Sequence, residues 1–304
     1  ANTEWQASDK LTLEAGLRYE SLHYNYQNNM IDGSTRDDGT LCNSTSGSCR
    51  YSRPMDRSDR TDNLNYQLVS HYDLNDSVGA FVRVASAYRA PQINELYRLQ
   101  KEQEISEIRP EQLDSLEAGL RYQSQQWFAE LSVYLMEKDQ VIVKDSNSYV
   151  VNDAQTSHRG IEWLIRYQIN TDWQIASVAA WSKHQYSYLR LYGGINIDGN
   201  DIDTAPRWEG SAQLLYQPSQ NRSAELEWAY LGKYFLDPQN THAYAGHAVL
   251  NLRGQQTFGS WEFAAQLTNL TDRRIADRAD YAFGSYRYFV GEGRGIALEI
   301  KRVF

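Results

Sequence analysis

The sequence predicts an all-β protein, an antiparallel transmembrane β-barrel of which about 13 strands are present. Three observations predict this fold. Short polar turns alternate with longer loops along the whole chain, and the segments between them alternate apolar and polar residues. Several of these segments also reach the roughly 9–11 residues that a tilted strand needs to cross a bilayer.

The connections come in two kinds. The tight turns consist of residues that favour hairpins and fall at Ser8-Asp9-Lys10, Asn75-Asp76-Ser77, Ser124-Gln125-Gln126, Asn170-Thr171-Asp172, Pro218 to Arg222 and Phe258-Gly259-Ser260. The longer, aromatic-bearing loops span residues 27–64, 90–113, 139–148, 187–206, 236–243 and 270–294. Outer-membrane barrels have short turns at one end and long loops at the other, so the alternation assigns the two ends of the sheet.

The predicted strands carry a period of two. From Leu11 to Glu20, apolar or aromatic side chains alternate with mostly polar ones, and residues 116–122 and 161–168 repeat the pattern. One face therefore suits lipid and the other suits water or a polar plug. A soluble sheet with one wet face also alternates, but Leu11 to Tyr26 and Trp173 to Tyr186 are much longer than ordinary strands of about five or six residues.

The composition agrees with one barrel domain over residues 1–304, since no linker divides the chain. The 22 Tyr and 8 Trp are the heavy aromatic load expected of girdles at two membrane interfaces, and Tyr66 is among the aromatics placed near a predicted strand end. The net charge of −9 argues against a nucleic-acid partner. No catalytic motif is present, so the chain is not predicted to be an enzyme.

Cys42 and Cys49 are the only cysteines and lie in the loop 27–64. They predict a local disulfide in an oxidising compartment, and a metal pair is less favoured because no histidine is near them. No two of the 6 histidines have close metal-ligand spacing. Neither a metal site nor a cofactor is predicted.

Both ends of the chain bear on its completeness. The sequence begins inside a predicted strand, and an antiparallel sheet with an odd number of strands cannot close on itself. At the other end Ile296, Leu298 and Ile300 alternate up to the terminal Phe304. We therefore expect the chain to be the C-terminal portion of a larger barrel.

Several short motifs resemble TonB-dependent outer-membrane receptors. The first is Tyr88-Arg89-Ala90-Pro91, followed by Glu95-Leu96-Tyr97 and then by Arg109-Pro110-Glu111. Gly160 and Glu162 in His158-Arg159-Gly160-Ile161-Glu162, Asn269-Leu270 in Leu267 to Asp272, and the terminal Phe304 fit the later strands of that family. The matches follow the family's order over nearly the whole chain.

This resemblance implies a barrel of about 22 strands, with the N-terminal plug absent from this chain. It implies a bacterial outer-membrane location with extracellular loops, contact with outer-membrane lipid, assembly by the barrel assembly machinery, and coupling to the TonB system through the missing N-terminal part. The implied function is active import of a scarce nutrient, most often a ferric siderophore, with iron only as part of that ligand. Vitamin B12, haem and glycans are other substrates of the family, although residues 92–111 lack the histidine usual in haem receptors.

Two functions from other classes compete with this one. A passive porin, or a surface-binding barrel without energy coupling, would have similar strands. The long loops containing Tyr and Arg and the ordered motifs favour the receptor.

An anionic ferric chelate would be bound by cations and flat aromatic surfaces. The residues predicted to contact it lie in the loops and are Tyr97, Arg98, His184, Tyr186, Arg190, Tyr192, Arg273, Arg278, Tyr281, Tyr286, Arg287 and Tyr288. The alternative is that these loop charges pair with one another in water, since 270–294 contains 5 arginines and 4 acidic residues.

Overall fold

The computed structural model describes residues 1–28, 33–35, 51–100, 103, 106–144 and 150–302. The strands are β1 (Asn2–Ser8), β2 (Leu11–Tyr26), β3 (Gly33–Thr35), β4 (Tyr51–Arg53), β5 (Arg57–Asn75), β6 (Val78–Arg89), β7 (Leu99–Gln100), β8 (Glu111–Gln123), β9 (Trp127–Lys144), β10 (Val150–Gln168), β11 (Trp173–Tyr186), β12 (Leu191–Tyr192), β13 (Ile195–Asn196), β14 (Trp208–Ser219), β15 (Arg222–Leu231), β16 (Tyr234–Phe235), β17 (Ala243–Tyr244), β18 (His247–Phe258), β19 (Trp261–Thr268), β20 (Ala276–Ala282), β21 (Ser285–Val290) and β22 (Gly295–Arg302). One short helix, α1 (Ile93–Tyr97), lies between β6 and β7.

Thirteen strands form a single sheet in the order β1-β2-β5-β6-β8-β9-β10-β11-β14-β15-β18-β19-β22. Every neighbouring pair in this sheet is antiparallel, which confirms the predicted all-β architecture and strand number. The remaining strands are short and lie in the loops. No helix in the part of the chain that the structure describes is long and apolar enough to cross a membrane.

The predicted boundaries of β2 and β11 match the structure, whereas some loop boundaries do not. Strand β5 begins at Arg57, inside the predicted loop 27–64, and β9 continues to Lys144, inside the predicted loop 139–148. Tyr66 consequently lies well inside β5 and not near its end. Hydropathy does not reveal such extensions because both faces of a strand meet water beyond the membrane, so the alternation disappears there. Cys42, Cys49 and Phe304 lie outside the described residues.

The two faces of the sheet differ in polarity. Leu120 and Leu131, which oppose each other on β8 and β9, are 51% and 44% exposed. Ion pairs such as Arg121 with Glu130, at 3.2 Å, lie on the opposite face. A soluble sheet buries its apolar face, whereas here that face is open and suits lipid.

Aromatic side chains form two belts on the apolar face. At the turn end, Trp127 stacks on Tyr167 with ring centroids 4.2 Å apart. A second belt towards the loop end contains Trp163, Trp181 and Trp208. On β11 the belts are separated by the segment from Trp173 to Trp181, which corresponds to roughly 20 Å along the membrane normal for a tilted strand. Residues beyond the second belt therefore belong to the loop end of the sheet.

Candidate ligand-binding surface

The first motif that resembles the receptor family contributes Arg89 and Glu95 to a network of ion pairs at the loop end of the sheet. Arg89 Nε donates to Glu111 Oε2 at 2.6 Å, and both Arg89 Nη atoms donate to Glu95 at 3.2 Å. Glu111, with a side chain only 4% exposed, also contacts Lys138 Nζ at 2.8 Å and accepts from the Ile142 backbone N–H at 2.8 Å. These residues, Arg89, Glu95, Glu111 and Lys138, are called the charge hub. Its contacts connect β6, α1, β8 and β9.

The next residues of the motif pack into the same region. Leu96 and Tyr97 are buried, and the Tyr97 ring stacks on Tyr26 with centroids 4.4 Å apart. The Tyr97 hydroxyl donates to Asp59 Oδ2 at 2.8 Å. Tyr97 was a predicted ligand contact, but its ring lies in the wall, while the following Arg98 is exposed.

The motif also fixes the end of β6. The Tyr88 backbone N–H donates to Asn65 Oδ1 at 2.6 Å, and Pro91, which lacks an N–H, is buried just beyond the end of the strand. Ala90 lies between the strand and this proline. The motif therefore has a structural basis that is independent of any ligand.

Most of the predicted contact residues at the end of β11 and in the loop between β11 and β14 form internal hydrogen bonds or ion pairs. The Tyr186 hydroxyl donates to Asp203 Oδ1 at 2.6 Å. Arg190 pairs with Asp153 at 2.5 Å and lies over the Tyr188 ring. Tyr192 is exposed in the small β12–β13 hairpin, whereas His184 is half-buried on the polar face of β11.

The loop between β19 and β22 forms a two-stranded hairpin from β20 and β21. The strand register separates its predicted contact residues onto two faces. The aromatic face carries Tyr281, Tyr286 and Tyr288, and the arginine face carries Arg278, Asp280 and Arg287. The sequence placed these residues in one loop, but only the register shows that the arginines and tyrosines point in opposite directions.

The arginine face has an excess of positive charge. Buried Asp280 accepts from Arg287 Nε at 2.5 Å and lies 3.6 Å from Arg278 Nη2. Both arginine side chains remain largely exposed. Because one carboxylate serves two guanidinium groups, this face has one net positive charge available to an anionic ligand.

The aromatic face packs on the loop between β15 and β18. The Tyr281 ring stacks on His242 with centroids 3.5 Å apart, and Tyr286 lies parallel to Tyr288. The Tyr234 hydroxyl accepts from the Ala279 backbone N–H at 3.0 Å. Tyr286 and Tyr288 are 48% and 53% exposed, so they are open to a ligand.

Sequence reasoning did not identify Tyr234, His242 and Tyr244 at this site. Tyr244 accepts from the Ala276 backbone N–H at 3.1 Å, and its ring lies 6.3 Å from that of Tyr288. The predicted loop 236–243 excluded both tyrosines, although the density of aromatic residues from 234 to 244 was a usable signal.

Asp237 fixes the turn that presents His242. Its carboxylate accepts from the Thr241 backbone N–H and hydroxyl, both at 2.8 Å, and from the His242 backbone N–H at 3.1 Å. It also contacts the His242 ring at Nδ1. Burial by itself raises the pKa of Asp237, but the hydrogen bonds from His242 and Thr241 outweigh it, so the pKa lies below its ordinary value.

Asn269 closes the base of the hairpin. Its φ of 47° is in the left-handed region, which Asn tolerates better than most residues. Its side-chain amide donates to the carbonyl oxygens of Arg273 at 2.8 Å and Glu292 at 3.1 Å. The adjacent Leu270 N–H donates to Leu250 O at 2.8 Å. Arg273 is exposed at this base, outside both faces of the hairpin.

The sequence model of the family described as "TonB dependent receptor-like, beta-barrel" matches residues 1–270. The chain belongs to this family. The resemblance inferred from the short motifs is thereby confirmed.

Solved receptor structures share the fold of this TonB-dependent receptor barrel at low identity. The siderophore receptor PiuA from Acinetobacter baumannii has a TM-score of 0.75 and 15% identity, with 98% of this chain and 41% of that one covered. The ferric-catecholate import receptor Fiu from E. coli K12, in its closed form, has a TM-score of 0.76 and 15% identity, with 98% and 43% covered. The ferric yersiniabactin uptake receptor FyuA from Yersinia pestis has a TM-score of 0.75 and 15% identity, with 98% and 44% covered. The chain thus spans about two fifths of the length of these receptors.

Within this receptor barrel, Gly160 and Glu162 lie on the polar inner face of β10. A Cβ at Gly160 would lie 2.5 Å from the Tyr134 hydroxyl and 2.7 Å from the Trp181 carbonyl oxygen. Only glycine therefore lets the buried Tyr134 ring lie across this strand. Glu162 opposes Ser132 and Ala180 and adds its carboxylate to the polar wall.

Proposed function

We propose that the chain is the barrel part of an outer-membrane receptor that binds a ferric siderophore outside the cell and imports it by TonB-dependent active transport. The observation that carries this proposal is the β20–β21 hairpin, which presents exposed tyrosines and arginines at the loop end of the barrel. Because the chain spans only about two fifths of similar receptors, substrate and transport are proposed for the whole protein.

The chemistry of the hairpin fits a ferric chelate. An anionic ferric chelate presents negatively charged oxygen donors and, where these are catecholates, flat aromatic rings. Tyr286 and Tyr288 provide rigid, amphipathic contact surfaces at a low cost in side-chain entropy. Arg278 and Arg287 keep their charge at all physiological pH values and share one carboxylate, so an anion gains a net attraction. The three structural relatives described above are siderophore or ferric-chelate receptors by name.

The two faces of the barrel support the remaining parts of the proposal. Exposed leucines and aromatic belts suit outer-membrane lipid, and the charged inner wall suits contact with a polar plug. In this proposal iron enters only as part of the transported ligand, and TonB acts through the plug-bearing part of the protein. The activity is transport and not catalysis.

The test is uptake of a ⁵⁵Fe-labelled siderophore by cells that depend on the natural full-length receptor. A panel of catecholate, hydroxamate and mixed siderophores is measured with and without an agent that dissipates the proton-motive force. The variants Arg287→Ala and Tyr288→Ala each remove one exposed group, one from each face of the hairpin. Phe258→Ala is the matched control, because it removes an exposed aromatic at the opposite end of the sheet.

We expect saturable uptake of at least one siderophore, collapse of that uptake without the proton-motive force, and affinity at least tenfold lower in the hairpin variants. A tenfold loss corresponds to about 1.4 kcal/mol, more than the roughly 1 kcal/mol that truncation of most interface residues costs. Flux that persists without the proton-motive force would indicate a passive porin. Unchanged affinity in both variants, with normal surface display, would exclude the hairpin as the binding site.

A further inference from the structure

Two histidines that are distant in sequence meet on the inner wall. His158 on β10 and His184 on β11 are direct cross-strand partners, and their Nδ1 atoms are 2.8 Å apart. Both side chains are half-buried, and both lie beyond the second aromatic belt, since His184 follows Trp181 towards the loop end. The pair therefore faces the extracellular part of the lumen.

A third donor continues this row. Met136 on β9 is the direct cross-strand partner of His158 and is half-buried. Directly opposed residues share one face and have Cβ atoms about 4.5–5.5 Å apart. The register thus places a thioether and two imidazoles in adjacent positions on three neighbouring strands.

The contacts of the pair define its protonation. A hydrogen bond between two Nδ1 atoms needs one N–H and one lone pair, so at least one ring is neutral. His158 Nε2 lies 2.9 Å from Thr156 Oγ1, and an N–H at this position leaves Nδ1 of His158 as the acceptor. His184 then carries its proton on Nδ1, and moving that proton to Nε2 leaves two lone pairs directed into the same space.

The spacing fits a late transition metal. Two metal–nitrogen bonds of about 2.0 Å at a right angle place the nitrogens about 2.8 Å apart, as in a tetragonal site. A tetrahedral ion would require a wider separation of about 3.3 Å. Cu²⁺ prefers tetragonal nitrogen coordination, is first in affinity among divalent first-row ions, and accepts a thioether as a weak ligand.

The surrounding charges are of both signs: the ammonium group of Lys138 disfavours positive charge at His158, whereas the carboxylates of Asp201 and Glu209 favour it at His184. Lys138, the nearest cation on the same face of β9, is paired with Glu111 at 2.8 Å. Among the described residues, no group of three or more His, Cys, Asp or Glu side chains is placed to hold a metal ion. A site here would therefore rest on two imidazoles and the thioether, with water completing the coordination.

We propose that His158 and His184, assisted by Met136, form a Cu²⁺-binding site on the extracellular part of the inner wall. Two imidazole Nδ1 atoms bind the ion in adjacent positions. Binding needs a change of tautomer at His184, without net proton release, and a rotation of the rings that turns both lone pairs from each other towards the ion. The site lies on the wall, away from the β20–β21 hairpin. It does not depend on the identity of the imported ligand.

The test uses the tag-free, natural full-length receptor in detergent, stripped with EDTA and titrated with CuSO₄. Electron paramagnetic resonance counts the nitrogens bound to copper, and competition with a chelator gives the affinity. The variants are His158→Gln, His184→Gln and the shape-conserving Met136→Leu. His71→Gln is the matched control, because His71 also lies on the polar face, beside Glu14 at 3.2 Å.

We expect a copper signal with two nitrogens that is lost in His158→Gln and His184→Gln, with affinity at least tenfold lower. Met136→Leu should lower the affinity less, and His71→Gln should leave both readouts unchanged. The difference between the natural protein and each variant separates this site from any other copper site. A natural protein without a two-nitrogen signal, or histidine variants that retain it, would overturn the proposal.

Discussion

The charge hub together with its neighbour Tyr97, and the β20–β21 hairpin, both combine arginine, a carboxylate and tyrosine, yet they differ in burial and in hydrogen bonding. In the hub, Glu111 is buried among three donors, and nearby Tyr97 is only 4% exposed. In the hairpin, Tyr286, Tyr288 and both arginines stand largely in solvent. Arginine and tyrosine therefore do not by themselves mark a ligand site. Their role follows from whether their polar groups are already satisfied inside the protein.

The difference has an energetic consequence. Removing one partner from a buried ion pair leaves an uncompensated charge, which typically costs about 3–5 kcal/mol. An exposed pair contributes only about 0–1 kcal/mol. Substitutions in the hub should therefore lower the stability of the folded protein, whereas substitutions in the hairpin should lower the affinity for the ligand.

The largest expected effect comes from the centre of the hub. Glu111→Ala removes the acceptor of Arg89, Lys138 and the Ile142 N–H, and it should lower the free energy of unfolding by about 3–5 kcal/mol. The measurement is urea unfolding in a lipid bilayer, followed by the loss of the heat-modifiable folded band. Glu117→Ala is the control, because Glu117 only approaches Arg83 at 3.7 Å, and it should cost about 1 kcal/mol or less. If Glu111→Ala and Glu117→Ala lowered the free energy of unfolding equally, the distinction between the buried hub and an exposed ion pair would be contradicted.

A smaller loss of stability is expected when the Tyr97 hydroxyl is removed. Tyr97→Phe removes a 2.8 Å bond to Asp59 and should cost about 1.5–3 kcal/mol, the range for hydrogen bonds to charged groups. Tyr286→Phe, on the exposed face of the hairpin, should leave stability unchanged within about 0.5 kcal/mol. The same unfolding assay compares them. If Tyr286→Phe proved as destabilising as Tyr97→Phe, the hairpin would be part of the structural wall.

The smallest effect depends on pH. The pKa of Asp237 is below its ordinary value in the folded protein, so its carboxylate stabilises the turn before His242 above that ordinary value. This contribution is lost as the pH falls through the folded pKa, that is, below an ordinary value near 3.8. Protease cleavage of the loop between β15 and β18, measured from pH 6 downwards with an acid-active protease, should increase in this window.

Asp237→Asn serves as the reference because residue 237 then does not titrate. Its loop should already be more susceptible to the protease at pH 6, and the difference from the natural protein should shrink as the pH falls. A difference that is constant with pH would show that Asp237 does not contribute through its charge.

The strands were the predictable part of the molecule. The alternation of apolar and polar residues and the polar turns predicted the antiparallel sheet, its strand number and the limits of β2 and β11. The start of β5 at Arg57 was not predictable, because above the membrane water meets both faces and the pattern fades. The family-like motif from Tyr88 to Tyr97 was visible in the sequence, but its structural role required the contacts of Arg89, Glu95 and Glu111.

The sequence by itself determined the fold class, the strand count, the two ends of the sheet and the family, because alternation and turn chemistry are local properties of the chain. Only the tertiary structure decided the register. Register placed Arg287 and Tyr288 on opposite faces of one hairpin and brought His158 against His184. The packing of α1 buried Tyr97. A shift of one residue moves a side chain to the other face, so contacts between distant strands depend on pairings that local sequence patterns do not specify.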